Sequence, residues 1–259
     1  MGALSSKHPW CNILRVFRLK RTCLFIKAYA ELFYKPKKNF LYVGDSHAMH
    51  ITEKMPLLFS SHQHDGSYCF SLGPRLMHSV AISGFSIPKR TLILFRLAVF
   101  NVLVISLGEI DCRMYLGSEN SDFYKKGDWP ELFLEQSIEL AQKLRIKNLL
   151  ILTPIPPSDL VLENGIFPRR GNLSSRISAT NWLTECIISS NVFQNPKYQY
   201  LDLRQILAVG AGSLNPKLTD DGVHANSLGA KMIKKSISKL HFLERNVLYG
   251  VKKRVGKNK

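Results

Sequence analysis

Short continuous apolar runs alternate along this chain with segments of helical periodicity, and that alternation limits the folds open to it. Phe40-Leu41-Tyr42-Val43 ends at Gly44, Asn101 to Leu107 ends at Gly108, and Asn148 to Thr153 is stopped by Pro154, Pro156 and Pro157. Ser67-Tyr68-Cys69-Phe70 and Tyr198 to Leu203 are two further strand candidates. Helical patterns fall near residues 47–57, 87–98, 129–145 and 173–191, and 225–242 follows the last strand. A strand that is apolar on both sides needs cover on both faces of its sheet, and helical crossovers between parallel strands supply it. The pattern predicts one three-layer α/β/α domain with a parallel sheet over residues 39–244.

Composition agrees. With 259 residues, 45% hydrophobic and 10% aromatic, the chain can bury a sizeable core. Disorder, collagen-like repeats and a disulfide miniprotein are excluded. The mean hydropathy is −0.05, and the longest apolar approach, Leu92 to Leu107, is interrupted by Arg96 and Asn101, so a polytopic membrane protein is excluded too. The cysteines Cys11, Cys23, Cys69, Cys112 and Cys186 are odd in number and form no C-x-x-C pair, which fits a reducing compartment. Arg15, Arg18, Lys20 and Arg21 break the only apolar stretch near the N-terminus, so a signal peptide is not expected. The expected location is cytoplasmic, peripheral to the inner face of the membrane.

The net charge of +17 is unevenly spread. Residues 1–40 carry +8, residues 245–259 carry +6, and residues 41–244 carry +3. The central domain is therefore nearly balanced between a basic, partly amphipathic extension (1–38) and a basic tail (245–259). Trp10, Ile13, Leu14, Phe17, Leu24, Phe25 and Ile26 recur among basic residues at roughly helical spacing, a pattern suited to peripheral contact with an anionic membrane. A nucleic-acid partner is disfavoured, because no zinc-finger, OB or RRM signature accompanies the charge.

In a doubly wound sheet, ligands gather at the carboxyl ends of the strands. Gly44-Asp45-Ser46-His47 follows the first strand, Gly108-Glu109-Ile110-Asp111-Cys112-Arg113 the third, and Asp220-Asp221-Gly222-Val223-His224 comes after the last. A hydrolytic serine needs an exposed hydroxyl on a sharp turn, a histidine to take its proton, and a carboxylate to hold that histidine in one tautomer. Ser46 sits at a strand-to-helix turn. Asp221 and His224 are three apart at the start of a predicted helix, a spacing that favours Asp221 over Asp220 as the orienting acid.

On these strings the chain resembles the SGNH (GDSL-type) hydrolase superfamily over about residues 41–242. Gly44-Asp45-Ser46-His47 is similar to its first block, with Ser46 as nucleophile, and Asp221-Gly222-Val223-His224 to its fifth, with Asp221 and His224 completing the triad. Leu72-Gly73-Pro74 falls at the second block, so Gly73 would share the oxyanion hole with the Ser46 N–H. The resemblance implies a flavodoxin-like sheet, ester hydrolysis through an acyl-enzyme, and no cofactor or metal. One departure stands out. The third block, Gly-x-Asn-Asp in the family, reads Gly108-Glu109-Ile110-Asp111, and isoleucine cannot donate a hydrogen bond; loss of one such donor costs about 100- to 1,000-fold in turnover. The Gly-Glu-Ile-Asp-Cys-Arg string is similar to one in SGNH-type proteins linked to bacterial surface-glycan assembly, which implies a sugar-borne ester. Asp45, His47, Glu109, Asp111 and Arg113 are the supporting candidates.

An α/β-hydrolase lipase fits less well: Gly44-Asp45-Ser46-His47-Ala48 lacks the second glycine of G-x-S-x-G, and its acid and histidine would come from separate loops. His62 and His64 form only a weak metal pattern. Cys112, after a buried strand, reads as a structural thiol, and His47 and His50 as packing residues on one helix face. Glu109 and Asp111 would point to opposite faces if extended, against joint action as a glycosidase pair. The expected function is a serine esterase acting on small O-acyl esters of a small molecule or glycan. An O-acyltransferase and a catalytically weak binding module on the same scaffold are the alternatives.

Overall fold

The computed structural model describes residues 40–52, 67–98, 100–118, 125, 127–160 and 169–240, all within the compact unit Lys38–Lys259. The basic extension, the basic tail and the His62/His64 segment lie outside the described residues. The central sheet has five parallel strands in the order β2-β1-β3-β4-β5. They are β1 (Phe40–Gly44), β2 (Tyr68–Ser71), β3 (Val102–Ser106), β4 (Asn148–Leu152) and β5 (Tyr198–Leu201). The predicted three-layer α/β/α architecture is the one found, with each predicted strand within two residues of its expected ends.

Helices cover both faces, as continuous apolar strands require. In chain order they are α1 (Ser46–Thr52), α2 (Met77–Ser83), α3 (Lys89–Ala98), α4 (Glu109–Asp111), α5 (Trp129–Leu144), α6 (Leu173–Ile188), α7 (Arg204–Leu207) and α8 (Ser227–Ile237). A short antiparallel pair, β6 (Ala208–Val209) with β7 (Ser213–Leu214), lies outside the main sheet. Alternate strand residues Tyr42, Val102, Val104, Leu150 and Leu152 pack under Ala48 and Ile51 of α1 and Ile233 and Ile237 of α8. Leu41, Val43, Leu103, Ile105, Leu149 and Ile151, also fully buried, alternate with them along the strands and so face the opposite side, where α5 packs on β4. Each such aliphatic side chain contributes about 1.5–3 kcal/mol by leaving water.

Local chemistry sets the helix ends nearest the site. Asn226 caps α8, its side chain accepting the Leu228 and Gly229 N–H groups, both at 3.1 Å. The helix therefore starts at Ser227, and Asp221 and His224 occupy the loop before it, correcting the expectation that they open the helix. The loop is braced by a bridge between Thr219 and Ala225. Helix α2 has no side-chain cap from Leu76 beside it. Instead Asp111 reaches across from α4 and accepts the Met77 and His78 N–H groups at 2.8 and 3.1 Å. α4 itself runs into a π-helical turn, Cys112–Leu116, closed by the Gly117 N–H on the Cys112 carbonyl at 3.0 Å. Glu109 and Asp111 thus lie on a helical turn, not on the extended segment expected for them.

Candidate active site

The strand order reverses direction between β1 and β3, the position where sheets of this order form their ligand crevice. Gly44 closes β1 under tight constraint: a Cβ there would stand 2.1 Å from the Ser106 carbonyl oxygen of β3. Only glycine allows the two strands to stay paired while the chain turns into α1, whose first residue is Ser46. Ser46 Oγ lies 2.7 Å from His224 Nε2, and His224 Nδ1 lies 2.5 Å from Asp221 Oδ2. Two residues 178 positions apart in sequence are thereby brought into hydrogen-bond contact.

The loop around Asp221 fixes that carboxylate. Its Oδ1 accepts the N–H of Val223 at 2.8 Å and of His224 at 2.7 Å, and Thr219 Oγ1 lies 3.3 Å away. Burial alone would raise the Asp221 pKa, but the His224 side chain and the two N–H donors outweigh it and hold the carboxyl far below the usual range. Asp221 is thus a carboxylate throughout the neutral range, oriented to keep the proton of His224 on Nδ1 and leave Nε2 to accept from Ser46. Asp220 instead accepts from Asn226 Nδ2 at 3.2 Å, outside the chain of contacts. Gly222, at φ 71°, could not carry a side chain without meeting Leu160 Cβ at 2.6 Å.

Below this chain lies a buried charged row. Asp45 and His47 are 0% and 3% exposed; Asp45 Oδ1 accepts the His47 N–H at 2.9 Å, while Asp45 Oδ2 has no hydrogen-bond partner among the described residues. His47 Nε2 lies 3.3 Å from Glu109 Oε2, and Arg113 Nε lies 2.9 Å from Glu109 Oε1. Burial raises the Asp45 pKa above the usual carboxylate range despite the nearby His47. For His47, burial acts against the imidazolium, but Asp45 and Glu109 outweigh it and the net shift is upward. Glu109 is shifted downward, because the His47 hydrogen bond and the Arg113 charge overcome its burial.

The imidazoles of this region also touch. The His50 ring stacks on His224 with centroids 4.1 Å apart and planes 12° apart, and His47 tilts against the same ring at 4.7 Å. Burial, then the proximity of His224 and His47, lowers the His50 pKa to about 4. A neutral His50 can therefore support the His224 ring without adding a second charge. His50, expected only to pack, and His47, expected to pack or to support the site, both lie against the His224 ring. Their three-residue spacing placed them on one face, but nothing in sequence signalled that His224 would close over it.

The remaining expected residues divide. Gly73 adopts the left-handed φ of 70°, and its N–H donates to Ser71 Oγ at 3.1 Å. Ile110 is buried at 4% exposure. Arg113 pairs with Glu109, and Asp111 caps α2. Cys112 is buried and its thiol pKa is pushed well up by burial, in keeping with a structural thiol. Among the described residues no cluster of three or more His, Cys, Asp or Glu has the arrangement of a metal site, and no helix is long and apolar enough to cross a membrane.

No protein-family model and no curated protein matches this chain. Among solved structures it is similar to a protein classed as an acylhydrolase from Bacteroides fragilis, at 19% identity over 82% of this chain and 93% of that one, with a TM-score of 0.50. It is also similar to a GDSL-like lipase from Bacteroides thetaiotaomicron, at 16% identity over 83% and 96% of the two chains, TM-score 0.49. A catalytic mutant of an acetylxylan esterase from Geobacillus stearothermophilus shares 11% identity over 78% and 93%, TM-score 0.48. At these identities the likeness is one of fold. What is shared with the Bacteroides fragilis protein is the three-layer α/β/α architecture around a central parallel sheet.

Proposed function

We propose that the protein is a serine esterase that hydrolyses small O-acyl esters, acetyl-like and borne on a small molecule or glycan. The observation that carries the reading is the hydrogen-bonded series Ser46 Oγ, His224 Nε2, His224 Nδ1, Asp221 Oδ2, at 2.7 and 2.5 Å. In the first half-reaction Ser46 Oγ attacks the ester carbonyl while His224 Nε2 takes its proton. The C–O bond to the leaving alcohol then breaks, and His224 returns the proton to that oxygen. Water attacks the acyl-Ser46 ester in the second half, again deprotonated by His224, and the acid departs as Ser46 recovers its proton. Asp221 stabilises the imidazolium formed in each half.

The tetrahedral intermediate needs hydrogen-bond donors for its oxygen. The Ser46 N–H is the first. Gly73 N–H is the second once the Ser71 hydroxyl rotates away from it, because an oxyanion is a stronger acceptor than a hydroxyl. Transfer of the acyl group to a sugar hydroxyl instead of water uses the same intermediate and depends on excluding water.

A second reading, a catalytically weak binding module, is favoured by two observations: Ile110 at the sequence position where the resemblance calls for a donor, and a Gly73 N–H engaged by Ser71. Hydrolysis of 4-nitrophenyl acetate by the wild type and by Ser46→Ala separates the two. The esterase reading expects turnover that the substitution abolishes. Equal slow rates in both proteins would leave the binding module.

A further inference from the structure

Beside the loop that carries Asp221 and His224 is a cavity of about 10 Å³, the room of about one water-sized group. Three arginines from three separate segments line it: Arg113 of the π-helical turn, Arg169 of the loop before α6, and Arg176 of α6. Gly222 and Val223, between the two catalytic-loop residues, form part of its wall.

The cations are incompletely matched. Arg113 faces Glu109 at 2.9 Å, but Glu109 is shared with His47. Arg176 is 5% exposed; its Nη1 donates to the Ser158 carbonyl at 3.0 Å, and its Nη2 is 3.6 Å from Asp159 Oδ1, whose side chain is 73% exposed and so screened by solvent. Arg169 has no carboxylate within 4.0 Å among the described residues; its Nη2 donates to the Gly222 carbonyl at 3.4 Å. Around the cavity, Arg169 Nη1 and Arg176 Nε are buried with neither a hydrogen-bond nor a carboxylate partner among the described residues, and Arg113 Nε, though 2.9 Å from Glu109 Oε1, makes no hydrogen bond. Leaving buried charged donors unpaired is costly, and converging like charges add to the cost. Consistent with this, burial and the neighbouring guanidinium lower the pKa of both Arg169 and Arg176.

We propose that this arginine-lined cavity receives an oxyanion carried by the ester substrate, a carboxylate or phosphate with one oxygen entering between Arg169 and Arg176. An oxyanion supplies the acceptors that both unpaired nitrogens lack and reduces the repulsion among the three cations. The substrate is then held beside the loop that presents His224, so anchoring and chemistry share one wall. The proposal rests on the esterase reading for the identity of its ligand, since an anionic ester is a substrate only if Ser46 acts on it.

Matched acetates test it. Phenyl acetate is neutral, 4-acetoxybenzoate carries a carboxylate, and 4-acetoxyphenyl phosphate carries a phosphate. For the wild type, kcat/KM on at least one anionic ester exceeds that on phenyl acetate by about tenfold or more, the effect of one well-placed charged hydrogen bond. Which anion is preferred identifies the group. Arg169→Gln and Arg176→Gln each reduce the anionic-to-neutral ratio toward one, whereas Arg96→Gln on the exposed face of α3 keeps it. Because Arg176 is buried, Arg169→Gln carries the test if Arg176→Gln does not fold by circular dichroism. A wild type that hydrolyses phenyl acetate with no preference for either anionic ester overturns the oxyanion site and spares the esterase. If none of the esters is hydrolysed, inorganic phosphate at constant ionic strength is the probe. A rise in Tm that Arg169→Gln removes supports the anion site while the esterase reading fails, and no rise overturns the site.

Discussion

The middle of the sheet and its carboxyl edge are equally dry and chemically opposite. Leu103, Val104 and Ile105 of β3 and Leu149 to Leu152 of β4 are fully buried and wholly apolar. At the ends of β1 and β3, a few residues further along, Asp45, His47, Glu109 and Asp111 are also buried, none above 9% exposure. The first region gains stability from every atom removed from water. The second holds charges whose desolvation opposes folding, and it keeps them only because each has an ionic or N–H partner within reach. Burial alone therefore says little about what a residue contributes. Its partners decide.

Breaking that contrast where it concerns chemistry gives the largest effects. Ser46→Ala or His224→Ala should lower kcat on an acetyl ester by up to about 10⁶-fold, and Asp221→Asn by about 10⁴-fold through loss of the reactive tautomer. Tm should change little for Ser46→Ala, since the side chain is only partly buried. Steady-state hydrolysis and a thermal melt on the same samples check both statements.

Next in size come the two kinds of buried residue compared directly. Glu109→Gln removes the carboxylate facing both His47 and Arg113, and leaves them with a neutral amide; removing one partner of a buried pair costs about 3–5 kcal/mol. Leu150→Ala removes apolar contact and leaves a cavity, at about 2–5 kcal/mol. Urea denaturation reads both losses, and pH separates them. Because the folded Glu109 pKa is lowered, its contribution is present above the ordinary carboxylate range and is lost as pH falls through the folded value. The Glu109→Gln deficit should therefore shrink in acid, and the Leu150→Ala deficit should not follow that titration.

The smallest effect has the opposite sign. Burial raises the Asp111 pKa to about 6, even though the His78 and Met77 N–H groups pull it down. Below about pH 4 the carboxyl is protonated in both folded and unfolded chains. As pH rises from there to about 6 the unfolded chain ionises first, so this group destabilises the fold progressively, by at most about 3 kcal/mol. Asp111→Asn should remove that part of the pH slope, seen as a reduced difference in urea midpoint between pH 4.5 and pH 7. An unchanged slope would mean that Asp111 is not the group titrating.

The same contrast explains what could be read from the sequence. The strands were legible because a doubly covered strand must be continuously apolar, and Phe40–Val43, Val102–Ile105 and Leu149–Leu152 satisfy that rule locally. Ser46, Asp221 and His224 were singled out by their position after strands, and the folded chain brings them into contact; the roles proposed for them come from the resemblance to a known pattern. Helix α2 was missed because its cap is Asp111, more than thirty residues away, with no signal beside Met77. The strand was read as ending at Gly108, but the helical turn after it was missed because Glu109-Ile110-Asp111 is too short to show a helical period and the φ of 104° at Gly108 that starts the turn leaves no sequence pattern. The stacking of His50 on His224 and the meeting of Arg113, Arg169 and Arg176 join segments with no fixed spacing. Only the folded chain brings them together.

The central claim is that Ser46 is a nucleophile activated by His224, and covalent labelling tests it most directly. Folded wild type incubated with a fluorophosphonate should gain one adduct by intact mass spectrometry, mapped to the peptide containing Ser46 and absent from His224→Ala. No adduct on a protein shown to be folded, or an adduct on another residue that persists in Ser46→Ala, would contradict the account.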